Sequence, residues 1–103
     1  MVSSFALGPT HLIVFARIHL TPIISNIESD CVATGISNVL GNKGGVSISF
    51  KIGKTSIICI SSHLAAGHNH VERRNEDWRK IYQALILKNK DYKESNKNIV
   101  AAE

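Results

Sequence analysis

The sequence contains only two cysteines, and they form no pattern that indicates a zinc site or a disulfide framework. Cys31 and Cys59 lie far apart and lack the paired CxxC spacing that structural zinc sites use, and small disulfide-rich domains carry more cysteines than this. We therefore expect a reducing compartment and predict a cytoplasmic location, which leaves open a peripheral association with membranes.

Long apolar segments are also missing. The patch from Leu12 to Ala16 is short, no basic segment precedes it, and Gly8-Pro9 and His11 interrupt it. It is not expected to be a signal peptide, and no stretch approaches the roughly 20 apolar residues of a membrane-spanning helix.

The charge balance favours anionic partners. Twelve Lys and Arg residues against eight Asp and Glu residues give a net charge of +4, which attracts phosphates without selecting one. A dense basic run is missing, and the aromatic residues are not interleaved with Arg and Lys as a single-strand nucleic-acid surface requires. Nucleic acid is therefore not expected as a partner.

Hydrophobic patterning predicts strands followed by a helix. The run from Leu12 to Ala16 predicts a strand buried on both faces, Thr21-Pro22 predicts a helical turn that begins with proline, and residues 29 to 36 predict a second strand. From Gly45 onward, apolar and polar residues alternate, which predicts a strand with one buried and one polar face. Gly53-Lys54 is then expected to turn the chain into a strand over residues 55 to 61.

The second half has helical spacing. Apolar residues from Val71 to Ile86 recur on one helical face, with Asn69 as the predicted cap and Glu72 in the capping-box position. Arg73 and Asp77, four apart, are expected to form a surface ion pair. Residues 89 to 103 are predicted to be a loop or frayed end.

Gly41, Gly44 and Gly45 surround Asn42 and Lys43. Glycine backbone can turn successive amide groups toward an anion, and the lysine adds a point charge. The pattern is consistent with a phosphate-binding loop or with an ordinary turn before a strand, and it does not decide between them.

His63 follows a predicted buried strand, with small residues beside it from Ala65 to Gly67. Such positions often touch ligands, although a lone histidine at a strand end can also be structural. Together with His68 and His70 it could suggest zinc, but no thiolate or carboxylate stands at a usual ligand spacing.

Taken together, four blocks in order resemble the inositol polyphosphate 5-phosphatases, including the synaptojanin-like members. The blocks are Thr34-Gly-Ile, Gly41-Asn-Lys-Gly-Gly-Val, Ser62-His-Leu-Ala-Ala-Gly and Glu72-Arg-Arg-Asn-Glu-Asp. The likeness spans about residues 8 to 88. The chain is therefore interpreted as a partial catalytic domain over residues 1 to 103 and as too short for the whole enzyme.

The resemblance implies an α/β (α+β) fragment of a deoxyribonuclease I-like four-layer sandwich, with a mostly antiparallel sheet and a C-terminal amphipathic helix. It implies removal of the 5-phosphate from phosphoinositides or inositol polyphosphates, with Mg²⁺ as cofactor. His63 is the implied catalytic residue, and Asn42, Lys43, Arg73 and Asn75 are implied to bind substrate. Arg73 and Asn75 could instead brace the His63 loop.

Other motifs of that family do not occur in this sequence: an upstream glutamate, a downstream Gly-Asp-x-Asn motif and a late Asp-His pair. Because magnesium needs oxygen ligands, we expect its ligands to lie outside this chain and the chain alone to be inactive. The alternatives are a non-catalytic phosphoinositide- or anion-binding remnant and, less favoured, a nuclease of the same superfamily.

Overall fold

The computed structural model of the chain describes residues 1–34 and 43–87, together with the backbone of residues 98–102. Its strands are β1 (Ser3–Leu7), β2 (Thr10–Val14), β3 (Ile24–Ala33), β4 (Gly44–Ile52), β5 (Thr55–His63) and β6 (Asn98–Ala102). A 3₁₀ helix (Ile18–Ile23) precedes β3, and helix α1 (Val71–Ile81) runs directly into a π-helical segment (Tyr82–Leu87).

The main sheet has the strand order β3-β4-β5-β6, and β1 and β2 form a separate hairpin that packs against β4. The β3–β4 and β4–β5 pairs are antiparallel, whereas β6 runs parallel to β5. The sheet is therefore mostly antiparallel, as predicted. The predicted loop or frayed end over 89–103 is wrong for Asn98–Ala102, which form a strand, and residues 88–97 lie outside the described part.

Strand β4 is covered on both faces. Val46 and Ile48 are fully buried on the hairpin side, while Ser47 and Ser49 retain only 4% exposure each. The two serines pair with Ile60 and Ile58 of β5 and so share the sheet face on which the helix lies. The predicted alternation is confirmed, but the serine positions are enclosed by the helix instead of facing solvent.

The helix covers this face of the main sheet, and an apolar cluster lies between them. Ile58 and Ile60 of β5 meet Ile81, Leu85 and Ile86, all with at most 2% exposure. Close approach is permitted by Gly45, because a methyl group added there would lie 3.1 Å from Ile81 Cγ2. Packing of this cluster therefore fixes the position of α1 over the sheet.

The start of α1 differs from the prediction. The N-cap is His70, not Asn69, and it makes no side-chain cap hydrogen bond. Its ring Nδ1 is 2.5 Å from the Ala66 carbonyl oxygen instead. The loop before the helix is therefore connected to the helix start by the His70 side chain and not by a capping box.

The two glycines after Lys43 are part of a strand and not of an anion-binding turn. Gly44 pairs with Ala33 and His63 on either side, and Gly45 likewise pairs within both neighbouring strands. Of the two interpretations left open for this motif, the strand that follows a turn accounts for Gly44 and Gly45, while Gly41 and Asn42 lie outside the described residues. Gly53 has a φ of 58° in the turn between β4 and β5, as predicted.

Strand β2 is less buried than predicted. It covers Thr10–Val14, and Ile13 remains 51% exposed, with Phe15 73% exposed just beyond it. The helical turn at Ile18–Ile23 is confirmed, but Pro22 lies inside it and not at its first position. Within the described residues, this region leaves a broad apolar surface.

Strand β3 also departs from its predicted limits and begins at Ile24. It lies at one edge of the main sheet and is interrupted by an irregularity between Ser25 and Glu28, where Asn26 adopts a φ of 54°. Among the described residues, no helix is both long and apolar enough to cross a membrane.

Candidate functional site

The side chains of Lys43 and His63 meet at the end of two neighbouring strands. Lys43 immediately precedes β4, and His63 is the last residue of β5, where it pairs with Gly44. The Lys43 Nζ atom lies 2.8 Å from His63 Nε2. Because an ammonium group can only donate, Nε2 accepts in this contact and the ring proton lies on Nδ1.

An open cavity of about 790 Å³ adjoins His63, and Lys43 is not among the residues that line it. Its lining combines the end of β5 with one face of α1, including His63, Arg74, Asn75 and Trp78. The histidine is exposed, so its ring is accessible from the cavity. Two of the predicted site residues, His63 and Asn75, therefore line one space.

The loop after His63 is tied to α1 by charged side chains. Asp77, only 1% exposed, accepts a hydrogen bond from the Ala65 amide through Oδ2 at 3.1 Å. Arg74 Nη1 donates to the carbonyl oxygens of Ala65, at 3.3 Å, and Gly67, at 2.5 Å. These bonds satisfy backbone groups that a free loop would leave to solvent.

Arg73 does not point freely into solvent. Its Nε lies 3.4 Å from Asp77 Oδ1, and its Nη2 lies 3.3 Å from the Thr34 carbonyl oxygen. The predicted Arg73–Asp77 pair is confirmed, but it is not the surface pair that was expected, because the carboxylate is buried.

The remaining predicted positions can now be placed. Asn42 lies outside the described residues, so the structure gives no position for it. His70 contacts the Ala66 carbonyl oxygen, and His68 is exposed. Among the residues of the described ranges, no group of three or more His, Cys, Asp or Glu side chains could hold a metal ion.

The two thiols are free, and one has an altered acidity. Cys31 and Cys59 lie on the strands that flank β4 and form no disulfide. Burial raises the pKa of the Cys59 thiol above its ordinary value of 9.0, because the thiolate would lose solvation. This thiol is therefore poorly suited to act as a nucleophile.

The sequence comparison agrees with this arrangement. A family model described as endonuclease/exonuclease/phosphatase family 2 matches residues 1–102. The chain belongs to this family. Its match extends beyond the likeness of about residues 8 to 88 noted from the sequence.

Members of the family similar to this chain are 5-phosphatases, which confirms the resemblance noted from the motifs. Human synaptojanin-2 is 40% identical over 87 residues, which cover 84% of this chain and 6% of that protein. The mouse type II inositol 1,4,5-trisphosphate 5-phosphatase is 44% identical over 70 residues, 68% of this chain and 7% of its own length.

A solved structure shares the fold. It is the inositol polyphosphate 5-phosphatase domain of SPsynaptojanin in complex with inositol (1,4)-bisphosphate and calcium ion, with a TM-score of 0.73 and 38% identity. The match covers 81% of this chain and 24% of that domain. The chain is thus a segment with the deoxyribonuclease I-like α/β fold, spanning about a quarter of the solved domain.

The described residues of this family member do not fit a divalent-cation site. Asp77, the buried carboxylate near His63, has one oxygen bonded to the Ala65 amide and the other paired with Arg73. A hard cation needs several free oxygen ligands, and the described part of the chain does not group them.

Sequence reasoning missed the part played by Asp77. Its spacing of four from Arg73 was visible, yet spacing alone cannot distinguish an exposed pair from one buried beneath the helix. The signal that could have found it is its position four residues before Ile81, because residues four apart lie on the same face of a helix and Ile81 faces the core.

Proposed function

We propose that this chain is the phosphate-recognition segment of an enzyme that removes the 5-phosphate from phosphoinositides or inositol polyphosphates. The observation that carries the proposal is the 2.8 Å contact between Lys43 and His63 beside an open cavity. The His63 ring lines this cavity and the Lys43 ammonium group contacts the ring, so the two groups can together donate to a phosphate. The complex of SPsynaptojanin with inositol (1,4)-bisphosphate supports this substrate class.

His63 is assigned to catalysis. When water displaces a phosphoryl group, charge is redistributed onto its oxygens, and a fixed donor directed at them stabilises the transition state. Since His63 Nε2 accepts from Lys43, the Nδ1–H group is the donor left for a phosphoryl oxygen. Asp77 holds the following loop through the Ala65 amide, which limits movement of the histidine backbone.

Lys43, Asn42 and Asn75 are assigned to the substrate side of the reaction. Arg73 is left out because its donors reach Asp77 and the Thr34 carbonyl oxygen. Lys43 supplies a positive charge to a phosphate that is not cleaved, and Asn75 offers amide donors from the cavity wall. A lysine contact of this kind lowers the free energy of bound substrate and transition state alike.

The cofactor in this proposal is Mg²⁺, bound by residues outside the chain. A divalent ion would polarise the phosphoryl oxygens when bound. The isolated segment is accordingly proposed to bind inositol phosphates without hydrolysing them. We further propose a cytoplasmic location and transient contact with membrane surfaces during action on phosphoinositides.

The experiment that tests the catalytic assignment is a chimera. This chain replaces the corresponding segment of the human synaptojanin-2 phosphatase domain, and His63→Ala is compared with His68→Ala, a change of an exposed histidine in the neighbouring loop. Loss of a transition-state donor should lower kcat by about 100-fold with little change in KM, while His68→Ala should leave both unchanged.

Unaltered turnover of the His63→Ala chimera would remove this histidine from the mechanism. In parallel, titration of the unsubstituted 103-residue chain with inositol (1,4)-bisphosphate tests recognition by itself. Binding without phosphate release is expected, and no saturable binding would contradict the proposed role of the segment.

A further inference from the structure

A buried carboxylate links the His63 loop to α1. Asp77 is 1% exposed and keeps both oxygens in contact with polar groups, the Ala65 amide at 3.1 Å and Arg73 Nε at 3.4 Å. Removing a charged group from water is costly unless it is paired and hydrogen-bonded. The position of Ala65, two residues after His63, is therefore strongly constrained by Asp77.

Arg73 extends this link to a different strand. The same guanidinium that pairs with Asp77 donates from Nη2 to the Thr34 carbonyl oxygen at 3.3 Å. Thr34 is fully buried at the end of β3, and its amide donates to the Lys43 carbonyl oxygen at 3.0 Å. A continuous series of contacts thus runs from the backbone after His63, through the helix, to the backbone of Lys43.

The direct contact between Lys43 and His63 cannot hold this geometry alone. Both side chains are accessible to solvent, and a single exposed polar contact of a flexible lysine contributes little to stability. A planar guanidinium that reaches two acceptors at once is better suited to fix a distance, because its donors form a rigid fork.

We infer that Arg73 and Asp77 are positioning residues that set where Lys43 stands relative to His63. Arg73 does so through its two acceptors, one on the helix and one at the end of β3. Of the two roles left open for Arg73, we therefore assign it to bracing the His63 loop and not to direct contact with substrate. The inference concerns the unliganded chain, and it rests on the proposed function only for its effect on phosphate binding.

The first test needs no phosphate. In the isotopically labelled 103-residue chain, long-range proton–nitrogen spectra report the chemical shifts of the two ring nitrogens of each histidine. The His63→Ala variant identifies which signals belong to His63. Arg73→Ala should move these signals toward those of the exposed His19 in the same spectrum, because the contact with Lys43 becomes less populated. Lys80→Ala removes one positive charge from the same helix and should leave them in place.

Arg73→Lys shows whether the fork or the charge matters. A lysine keeps the charge but lacks two donors at a fixed separation, so the His63 signals should shift in the same direction as in Arg73→Ala. Fluorescence of Trp78 checks that each variant is folded. If Arg73→Ala does not fold, the His63 signals of Arg73→Lys test the positioning role instead. Wild-type His63 signals in a folded Arg73 variant would overturn the inference.

The second test measures binding of inositol (1,4)-bisphosphate to the same variants. Loss of the brace should raise the Kd about fivefold or more in Arg73→Ala, against less than about twofold in Lys80→Ala. If the unsubstituted chain binds no inositol phosphate, the proposed function fails, while the ring-nitrogen signals still decide the positioning role. If the unsubstituted chain does bind, an equal Kd for Arg73→Ala would contradict the positioning role of Arg73.

Discussion

Replacing Gly44 with alanine should disrupt the strand pair that presents Lys43. Gly44 has a φ of 150°, and a Cβ atom built on it would lie 2.1 Å from the Val32 carbonyl oxygen and 3.1 Å from Leu7 Cδ2. The oxygen belongs to the backbone of β3, so it cannot turn away as the end of a side chain could. The two strands must separate or shift at the point where they lead to Lys43.

The cost follows from two effects. Unfavourable backbone conformation costs about 1–2 kcal/mol, and overpacking that forces backbone movement costs about 1–3 kcal/mol. We expect Gly44→Ala to lower the free energy of unfolding by roughly 3 kcal/mol or more. Since small domains are stable by only about 5 kcal/mol, much of the population would be unfolded at modest urea concentrations.

Gly53→Ala is the matched control on the same pair of strands. Gly53 also has a positive φ, of 58°, but nothing lies within 4 Å of an added Cβ. Its substitution should therefore cost only the conformational part, about 1 kcal/mol. The difference between the two variants measures the cost of the close contacts at Gly44, of which the one with the Val32 carbonyl oxygen is the shortest.

Urea denaturation followed by fluorescence provides the assay, because Trp78 is the single tryptophan of the sequence and lies against the core under the helix. Linear extrapolation gives the free energy of unfolding for each variant. Equal destabilisation by Gly44→Ala and Gly53→Ala would refute the steric argument for Gly44.

Three further outcomes are expected. Ile81→Ala should lower the free energy of unfolding, measured by urea denaturation, by about 2–5 kcal/mol because the Ile81 side chain is fully buried. Ile18 is 88% exposed, so Ile18→Ala should change that free energy by less than about 0.5 kcal/mol. Equal effects of the two substitutions would contradict the described core. Burial raises the pKa of Cys59 above its ordinary value of 9.0, so the unfolded chain releases its thiol proton first and stability should fall as the pH rises through that value. Cys59→Ala should reduce this fall more than Cys31→Ala, and an unchanged fall in Cys59→Ala would show that another group causes it. In the chimera, Lys43→Ala should raise KM for highly phosphorylated substrates more than for others, and an equal effect on all substrates would limit Lys43 to shaping the strand end.

Much of the fold could be predicted because local patterns carried it. The alternation from Val46 to Ile52 defined β4, the positive φ available to Gly53 defined the turn, and helical spacing placed Ile81 on the inner face of α1. Each of these signals depends on neighbours in sequence. They required no knowledge of what lies on the other side of the sheet.

The errors arose where burial depends on distant parts of the fold. Ser47 and Ser49 are polar in sequence but lie beneath α1, and the Leu12 to Ala16 run is apolar but largely uncovered in this segment. Strand β6 has no strong pattern of its own, and it is stabilised as a strand by pairing with β5. Tertiary packing overrides local preference at such positions.

The candidate site was predictable in part. The motifs that carry Lys43 and His63 indicated a shared phosphate site, and the structure brings these two side chains together. The supporting contacts of Asp77 were not predictable, since they depend on how the loop after β5 folds back against the helix. Asn42, although predicted with Lys43, lies outside the described residues.

The irregular stretch at Asn26 has a consequence for how this chain meets copies of itself. An outermost strand with regular free amide and carbonyl groups invites another chain to continue the sheet. Here the pairing register with β4 shifts between Ser25 and Glu28, and the exposed acidic side chains of Glu28 and Asp30 lie at and beyond the shift. Mutual repulsion and broken spacing make that border of the described sheet a poor template for a strand of a second copy.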